Sequence, residues 1–215
     1  MYSILLSAGW PIWPLLIISI IGLAIAIERC WYLRFTHIFP KGLLESVFSA
    51  ANQLANQSPN QKMDDVHLDS LLVQSPASPL LASVLKEKIA GSNTEIALEE
   101  LQVVAQSTWL KFDRYLGALA TIATIAPLLG LFGTVVGMIE IFGSQGAING
   151  AGSPQQLAHG ISLALYNTAF GLLIAIPALA AWRGLRAMAN QRQRECEEFT
   201  RQLFKKLYPN SITSS

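Results

Sequence analysis

YLGALATIATIAPLLGLFGTVVGMIEIFGSQGAINGAGSPQQLAHGISLALYNTAFGLLIAIPALAAW, residues 115–182, contains neither lysine nor arginine. All fifteen cationic residues of the chain lie on either side of it, from Arg29 to Arg114 and from Arg183 to Lys206. A run this long and this apolar holds two membrane-crossing helices of about 20 residues each, joined by a turn. Cytoplasmic flanks of membrane helices retain Lys and Arg, so both cationic blocks are expected inside the cell. The cation-free stretches 1–28 and about 143–158 are expected outside.

Working outward, the first apolar stretch has no Lys or Arg before Arg29. A cleaved signal would begin with a positive segment, so this stretch reads as a retained span with its N-terminus outside. Trp10 and Trp13 mark one of its ends, and Trp31 and Tyr32 the other, as interfacial aromatics do. Glu28 beside Arg29 reads as a snorkelling arginine with a nearby counter-charge. The predicted order is an outer N-terminus at 1–11, a first span at 12–33, a cytoplasmic helical part at 34–114 and a second span at 115–142. An outer loop at 143–156, a third span at 157–182 and a cytoplasmic C-terminal helix and tail at 183–215 complete it. The fold class is therefore an all-α membrane protein with three transmembrane helices and long cytoplasmic helical extensions.

Composition agrees: 52% of residues are hydrophobic and only 13% charged, about half the charge of an ordinary soluble protein. A net charge of +1 gives no reason to expect nucleic acid. Cys30 and Cys196 both fall on the predicted cytoplasmic side, without metal-ligand neighbours, and read as reduced packing residues. No metal or cofactor is expected.

Within the cytoplasmic part, Leu43, Leu44, Val47, Phe48, Ala51 and Leu54 recur at helical spacing, predicting an amphipathic helix over 41–57. Residues 56–79 read as a loop with at most one short turn around Val66 to Val73. Ser78 before Pro79 predicts a helix start, and the helix from 79 to about 90 stops at Gly91. Ser92 and Glu95 have capping-box spacing. No proline or glycine then interrupts the chain before Gly117, so one helix is expected to run from about 93 to 142 into the membrane. Beyond the third span, Cys196, Phe199, Leu203 and Leu207 predict that the last helix continues inside until Pro209.

The two return spans keep small residues on one face: Gly130, Gly133 and Gly137 in the second, and Gly160, Ala164, Thr168, Gly171, Ala175 and Ala178 in the third. Small side chains let helix backbones approach closely in lipid, so tight packing accounts for the glycines. Thr134 and Thr168 are expected at similar depth, with Asn167 beside the latter and Thr121 and Thr124 nearer the inside. A threonine alone can satisfy itself on its own helix carbonyl. Two at one depth on small-residue faces favour a shared polar lining of Thr134, Thr168 and Asn167. Glu140, the one acidic residue between Asp113 and Glu195, enters near the level of His159. A Glu140–His159 contact at the outer mouth is one expectation, and two residues separately touching interfacial water is the other. Pro127 and Pro177 each remove an amide donor from a span, predicting a kink. The spans contain no Ser–His or paired-Asp arrangement and no metal-ligand cluster, so the chain is not expected to be an enzyme.

The runs APLLGLFGTVVGMIEIF at 126–142 and GISLALYNTAFGLLIAIPALAAW at 160–182 resemble the MotA/TolQ/ExbB proton-channel family, most closely its ExbB-like members. The close match covers about 105 to 185. The resemblance implies an inner-membrane motor subunit of a Gram-negative bacterium that forms a homopentameric helical bundle around single-span helices of an ExbD-like or TolR-like partner. In such complexes a membrane aspartate of the partner is thought to carry the proton, and the family's two pore threonines align with Thr134 and Thr168. A TonB-like protein would receive the energy for outer-membrane transport. A TolQ-like role in envelope constriction and a non-conducting membrane scaffold are the alternatives. One departure stands out: many relatives have a glutamate where this chain has Leu163.

Overall fold

The computed structural model describes residues 10–40, 42–56, 75–146 and 154–209. The short turn expected around residues 66–73 lies outside them. Among the described residues the chain is helical and contains no strand. In chain order the helices are α1 (Ile12–Tyr32), α2 (Phe35–Ile38), α3 (Leu43–Asn56), α4 (Ser78–Ile89), α5 (Thr94–Asp113), α6 (Leu116–Gly146) and α7 (Pro154–Leu207). Three segments, Ile12–Tyr32, Thr94–Gly143 and Gly160–Leu207, are long and apolar enough to cross a membrane; the first is α1, the second takes in α5 and most of α6, and the third lies within α7. The chain divides into two compact units, one of residues 1–29 and 115–185, the other of 30–114 and 186–215.

The first unit is predominantly apolar. Leu15 of α1 is fully buried in a cluster with Ala126 and Ala175, against which Leu129 and Ile174 pack. About two turns on, Gly22 is buried against the Ile122 side chain, whose methyl is 3.4 Å from where a Cβ would stand. Trp10 meets Phe132 edge-on, with ring centroids 6.0 Å apart. α6 runs on through Pro127 and α7 through Pro177, so neither proline ends its helix.

At the end of α1, Arg29 is not the exposed snorkelling residue its place suggests. Its side chain is 3% exposed, pairs with Glu28 at 3.5 Å and lies 5.1 Å from the centre of the Tyr115 ring. An arginine under an aromatic face exchanges hydration for the ring quadrupole. Tyr115 itself has a φ of 64°, a left-handed conformation that costs a non-glycine residue roughly 1 kcal/mol or more. Together with the extended Arg114 (ψ 135°), it divides the expected 93–142 helix into α5 and α6. Scanning for Gly and Pro could not find this break, because a tyrosine makes it.

The second unit has its own core. Leu43, Val47, Ala50 and Ala51 of α3 pack with Leu81, Ala82, Val84 and Leu85 of α4, Ala97 of α5, and Leu203, Leu207 and Tyr208 at the end of α7. The amphipathic face of α3 thus finds its partner within the chain. Phe39 contacts Phe199 edge-on at 5.1 Å. Arg192 donates from Nε to the Leu33 carbonyl at 3.2 Å and pairs with Glu195 at 2.6 Å, which ties the segment after α1 to α7. Asp113 and Arg186 form a further ion pair.

Two helix starts differ from expectation. Ser78 is the first residue of α4, not its cap: its hydroxyl donates back to the Ser75 carbonyl at 2.6 Å, and the flanking Ala77 gives no side-chain cap. α4 ends at Gly91, whose φ is 74°, with Gly91 N donating to Lys88 O and Ser92 N to Glu87 O. That pair of bonds is a Schellman ending, and it commits Ser92 to closing α4. Asn93 therefore caps α5, accepting from Ile96 N at 2.9 Å, and no Ser92–Glu95 box forms. Cys196 is buried as expected, whereas Cys30 is exposed.

Candidate functional site

The seam between α6 and α7 is built from residues without side chains. A Cβ on Gly171 would stand 2.6 Å from the Ala126 carbonyl oxygen, and one on Gly130 would stand 2.7 Å from the Asn167 carbonyl oxygen and 3.0 Å from Thr168 Cα. Further along, Gly133 faces Asn167, Gly137 faces Ala164, and Gly160 faces Ile141. As one index rises the other falls, so the two helices run antiparallel in one register over four turns. No larger residue fits at Gly130, Gly133 or Gly171, because backbone or a buried side chain already occupies the space.

That register sets the level of the polar residues. It places Thr134 and Thr168 within one turn of each other along the axis. Helical phase at 3.6 residues per turn puts Thr134 about 70° from the line of seam glycines on α6, and Thr168 about 60° from the seam on α7. In an antiparallel pair these rotations carry both threonines to the same side. α1 packs on the other side, through Leu15 and Gly22, together with Trp10 just before it. The threonine side is therefore open within this chain, and its flanking apolar residues Leu131, Val135, Leu165 and Leu172 are all exposed. A shallow open concavity there is lined by Thr134, Val135, Met138, Ile139, Phe142 and Gly143.

The hydroxyls on α6 are satisfied by their own helix. Thr134 Oγ1 donates to Leu131 O at 2.6 Å, Thr121 to Gly117 O at 2.9 Å, and Thr124 to Thr121 O at 2.9 Å. A hydroxyl whose proton is spent on a carbonyl keeps its oxygen lone pairs as acceptors. Thr134 thus presents an acceptor to whatever meets the open side, and Thr124 adds another about 15 Å along the axis by helical rise. Among the described residues, this face includes no carboxylate and no cation.

Asn167 does not reach the open side. It is 2% exposed and sits inside the seam, with Cβ, Cγ and Nδ2 all within 3.0 Å of the place where a Gly133 side chain would begin. A polar amide beside Thr168 suggested a lining residue, and only the tertiary register shows that it packs inward. Glu140 is exposed, and helical phase turns it toward the α1 side, away from the threonines. Residue 159 falls level with it, but the side-chain contact proposed between Glu140 and His159 lies outside the described residues, as does the side chain of Leu163. Among the described residues no group of His, Cys, Asp and Glu could hold a metal ion.

Comparison with known proteins bears on this geometry. A sequence model described as the MotA/TolQ/ExbB proton channel family matches residues 72–198. The chain is 32% identical over 196 residues to the biopolymer transport protein exbB1 of Vibrio cholerae, covering 88% of this chain and 80% of that one. Over 83 residues it is 41% identical to the Tol-Pal system protein TolQ of Haemophilus influenzae, covering 38% of this chain and 35% of that one. Over 76 residues it is 41% identical to the biopolymer transport protein ExbB of Helicobacter pylori, covering 35% and 52%.

Proposed function

We propose that this chain, which belongs to the MotA/TolQ/ExbB proton channel family, is the ExbB-like subunit of a proton-driven motor in the inner membrane. In this reading it forms a homopentamer around an ExbD-like single-span partner and energises a TonB-like protein for transport across the outer membrane. The observation that carries the reading is the uncovered side of the α6–α7 pair, where Thr134 and Thr168 stand at one level. Each supplies a hydroxyl oxygen in a surface that α1, the other helix of the first unit, leaves uncovered.

Chemistry makes the reading a two-component one. Moving a charge through the membrane field is worth roughly 2.3 kcal/mol per 100 mV, but collecting it requires a group that binds and releases a proton along the way. Threonine hydroxyls can solvate a proton path, yet they do not titrate near neutral pH. A carboxylate on a partner helix set against the open face would be the carrier, and Thr134 and Thr168 would orient water or the carboxylate itself. Glu140 and His159 would form a separate site at the outer mouth. Cationic residues on both flanks of the 115–182 stretch support an outside N-terminus and an inside C-terminus.

The test is proton flux into liposomes that contain the chain with its co-encoded single-span partner. Loss of flux in Thr168→Val, and in the partner with its membrane aspartate changed to asparagine, supports a shared path. An intact complex that stays silent even with the TonB-like protein added favours the second reading, a non-conducting scaffold, for which Leu163 is the specific support. A TolQ-like service is told apart by which co-encoded partner copurifies.

A further inference from the structure

Among the described residues, Asn167 is the one seam residue on α7 that is neither small nor apolar. Its side chain lies against the bare Cα of Gly133: a methyl group there would meet Asn167 Cβ at 2.9 Å and Nδ2 at 3.0 Å. Its main-chain carbonyl oxygen lies 2.7 Å from the Cβ position of Gly130, one turn away. The residue is held from two glycines on the facing helix, and it immediately precedes Thr168. A rotation of α7 about its axis would therefore move the amide off Gly133 and swing the Thr168 hydroxyl by the same angle.

Ile141 seats over Gly160 in a similar way, its Cδ1 2.5 Å from the Cβ position there, but it is apolar and lies about two turns from Thr168. Ala164 and Gly171 meet only glycine and main-chain atoms, which hold no side chain in a notch. A branched, polar side chain seated over one glycine has a single matching position. Withdrawing its amide into hydrocarbon would also cost free energy, because lipid provides no hydrogen-bond partner.

We propose that Asn167 is a positioning residue that locks into the notch at Gly133, fixes the rotation of α7, and so aims Thr168 at the open face that it shares with Thr134. The proposal rests on the proton-path reading for its functional consequence, but its structural content does not. Asn167 touches no proton in this scheme. It acts through Thr168, and its partner in the lock is the absent side chain of Gly133.

Two readouts test it. In a background with Cys30→Ser and Cys196→Ala, spin labels at Thr134→Cys and Thr168→Cys report the distance between the two positions in the purified complex. The expected result is that Asn167→Leu, near in shape but without the amide, and Asn167→Ala each broaden or shift this distance distribution while the oligomer elutes unchanged. In proteoliposomes both variants should lower proton flux about fivefold or more. Gly133→Ala should do the same, and Gly133→Ala with Asn167→Ala should conduct no worse than Asn167→Ala alone, since removing the amide vacates the space the new methyl needs.

An unchanged distance distribution in both Asn167 variants overturns the proposal. So do multiplicative losses of flux in the double variant, which would make the two positions independent. If the wild-type complex does not conduct, the proton-path reading fails, and the distance measurement still decides whether Asn167 sets the rotation.

Discussion

Gly171→Ala adds one methyl group where two backbones meet, and its effect can be worked from the seam. The new Cβ would stand 2.6 Å from the Ala126 carbonyl oxygen, 3.1 Å from Gly130 Cα and 3.3 Å from Gly130 N. All three are main-chain atoms, so no rotamer change relieves the contact, and the helices must part by most of the roughly 0.8 Å that separates 2.6 Å from an ordinary 3.4 Å contact. A gap of about 0.5–1 Å forfeits a quarter to a half of each dispersion contact it opens, and Gly130, Gly133 and Gly137 all depend on that spacing. Overpacking of this kind costs about 1–3 kcal/mol. Gly184→Ala on the same helix is the control, because a Cβ there meets nothing within 4 Å and the variant collects only the helix-propensity gain of up to about 1 kcal/mol. Both substitutions carry that gain, so the difference between them isolates the clash. Unfolding in mixed micelles with increasing SDS, followed by helical circular dichroism, should place Gly171→Ala about 1–3 kcal/mol below Gly184→Ala, a factor of roughly 5 to 150 in the unfolding equilibrium. Equal stability of the two within about 0.5 kcal/mol would refute the claim that α6 and α7 meet backbone to backbone at this point.

Other expectations follow from the second unit. Burial, helped by Glu195 and Glu197, pushes the Cys196 thiol up from 9.0 to about 12, so a maleimide at pH 8 should label exposed Cys30 rapidly and Cys196 only after unfolding; comparable rates in the native protein would contradict its burial. The same upward shift sets a pH dependence: the unfolded thiol loses its proton near pH 9 while the folded one holds it, so the stability present below pH 9 declines as pH rises toward 12. Burial and Glu87 raise Tyr208 in the same direction, and Cys196→Ala with Tyr208→Phe should flatten the alkaline side of the melting curve, an unchanged alkaline midpoint counting against both shifts. Asn93→Ala removes the α5 cap and should cost about 1 kcal/mol, whereas Ser92→Ala should cost less; thermal melting of the two variants ranks them, and the reverse order would restore the Ser92 box.

Three apolar helices long enough to cross a membrane and the amphipathic helix around residues 43–56 could be read from the chain, because each depends on composition and period within one segment. Lipid demands about 20 apolar residues in a row and a core helix demands apolar residues every three or four, and neither demand needs a partner to be recognised. The glycines and threonines of 126–182 could be singled out on the same grounds. Their division of labour could not. Asn167 and Thr168 are neighbours in sequence, yet 100° of helical phase sends one into the seam over Gly133 and the other toward the open side, and which is which depends on where α6 lies. The break at Tyr115 and the choice of Asn93 over Ser92 as cap were equally hidden, since one is held by a ring over Arg29 and the other by the Gly91 turn that ends the preceding helix. The sequence by itself determined which segments are helical and which would enter a membrane. Only the tertiary structure decided which face of each helix is spent on packing and which is left to meet a partner, because that choice is made by contacts between residues far apart in the chain.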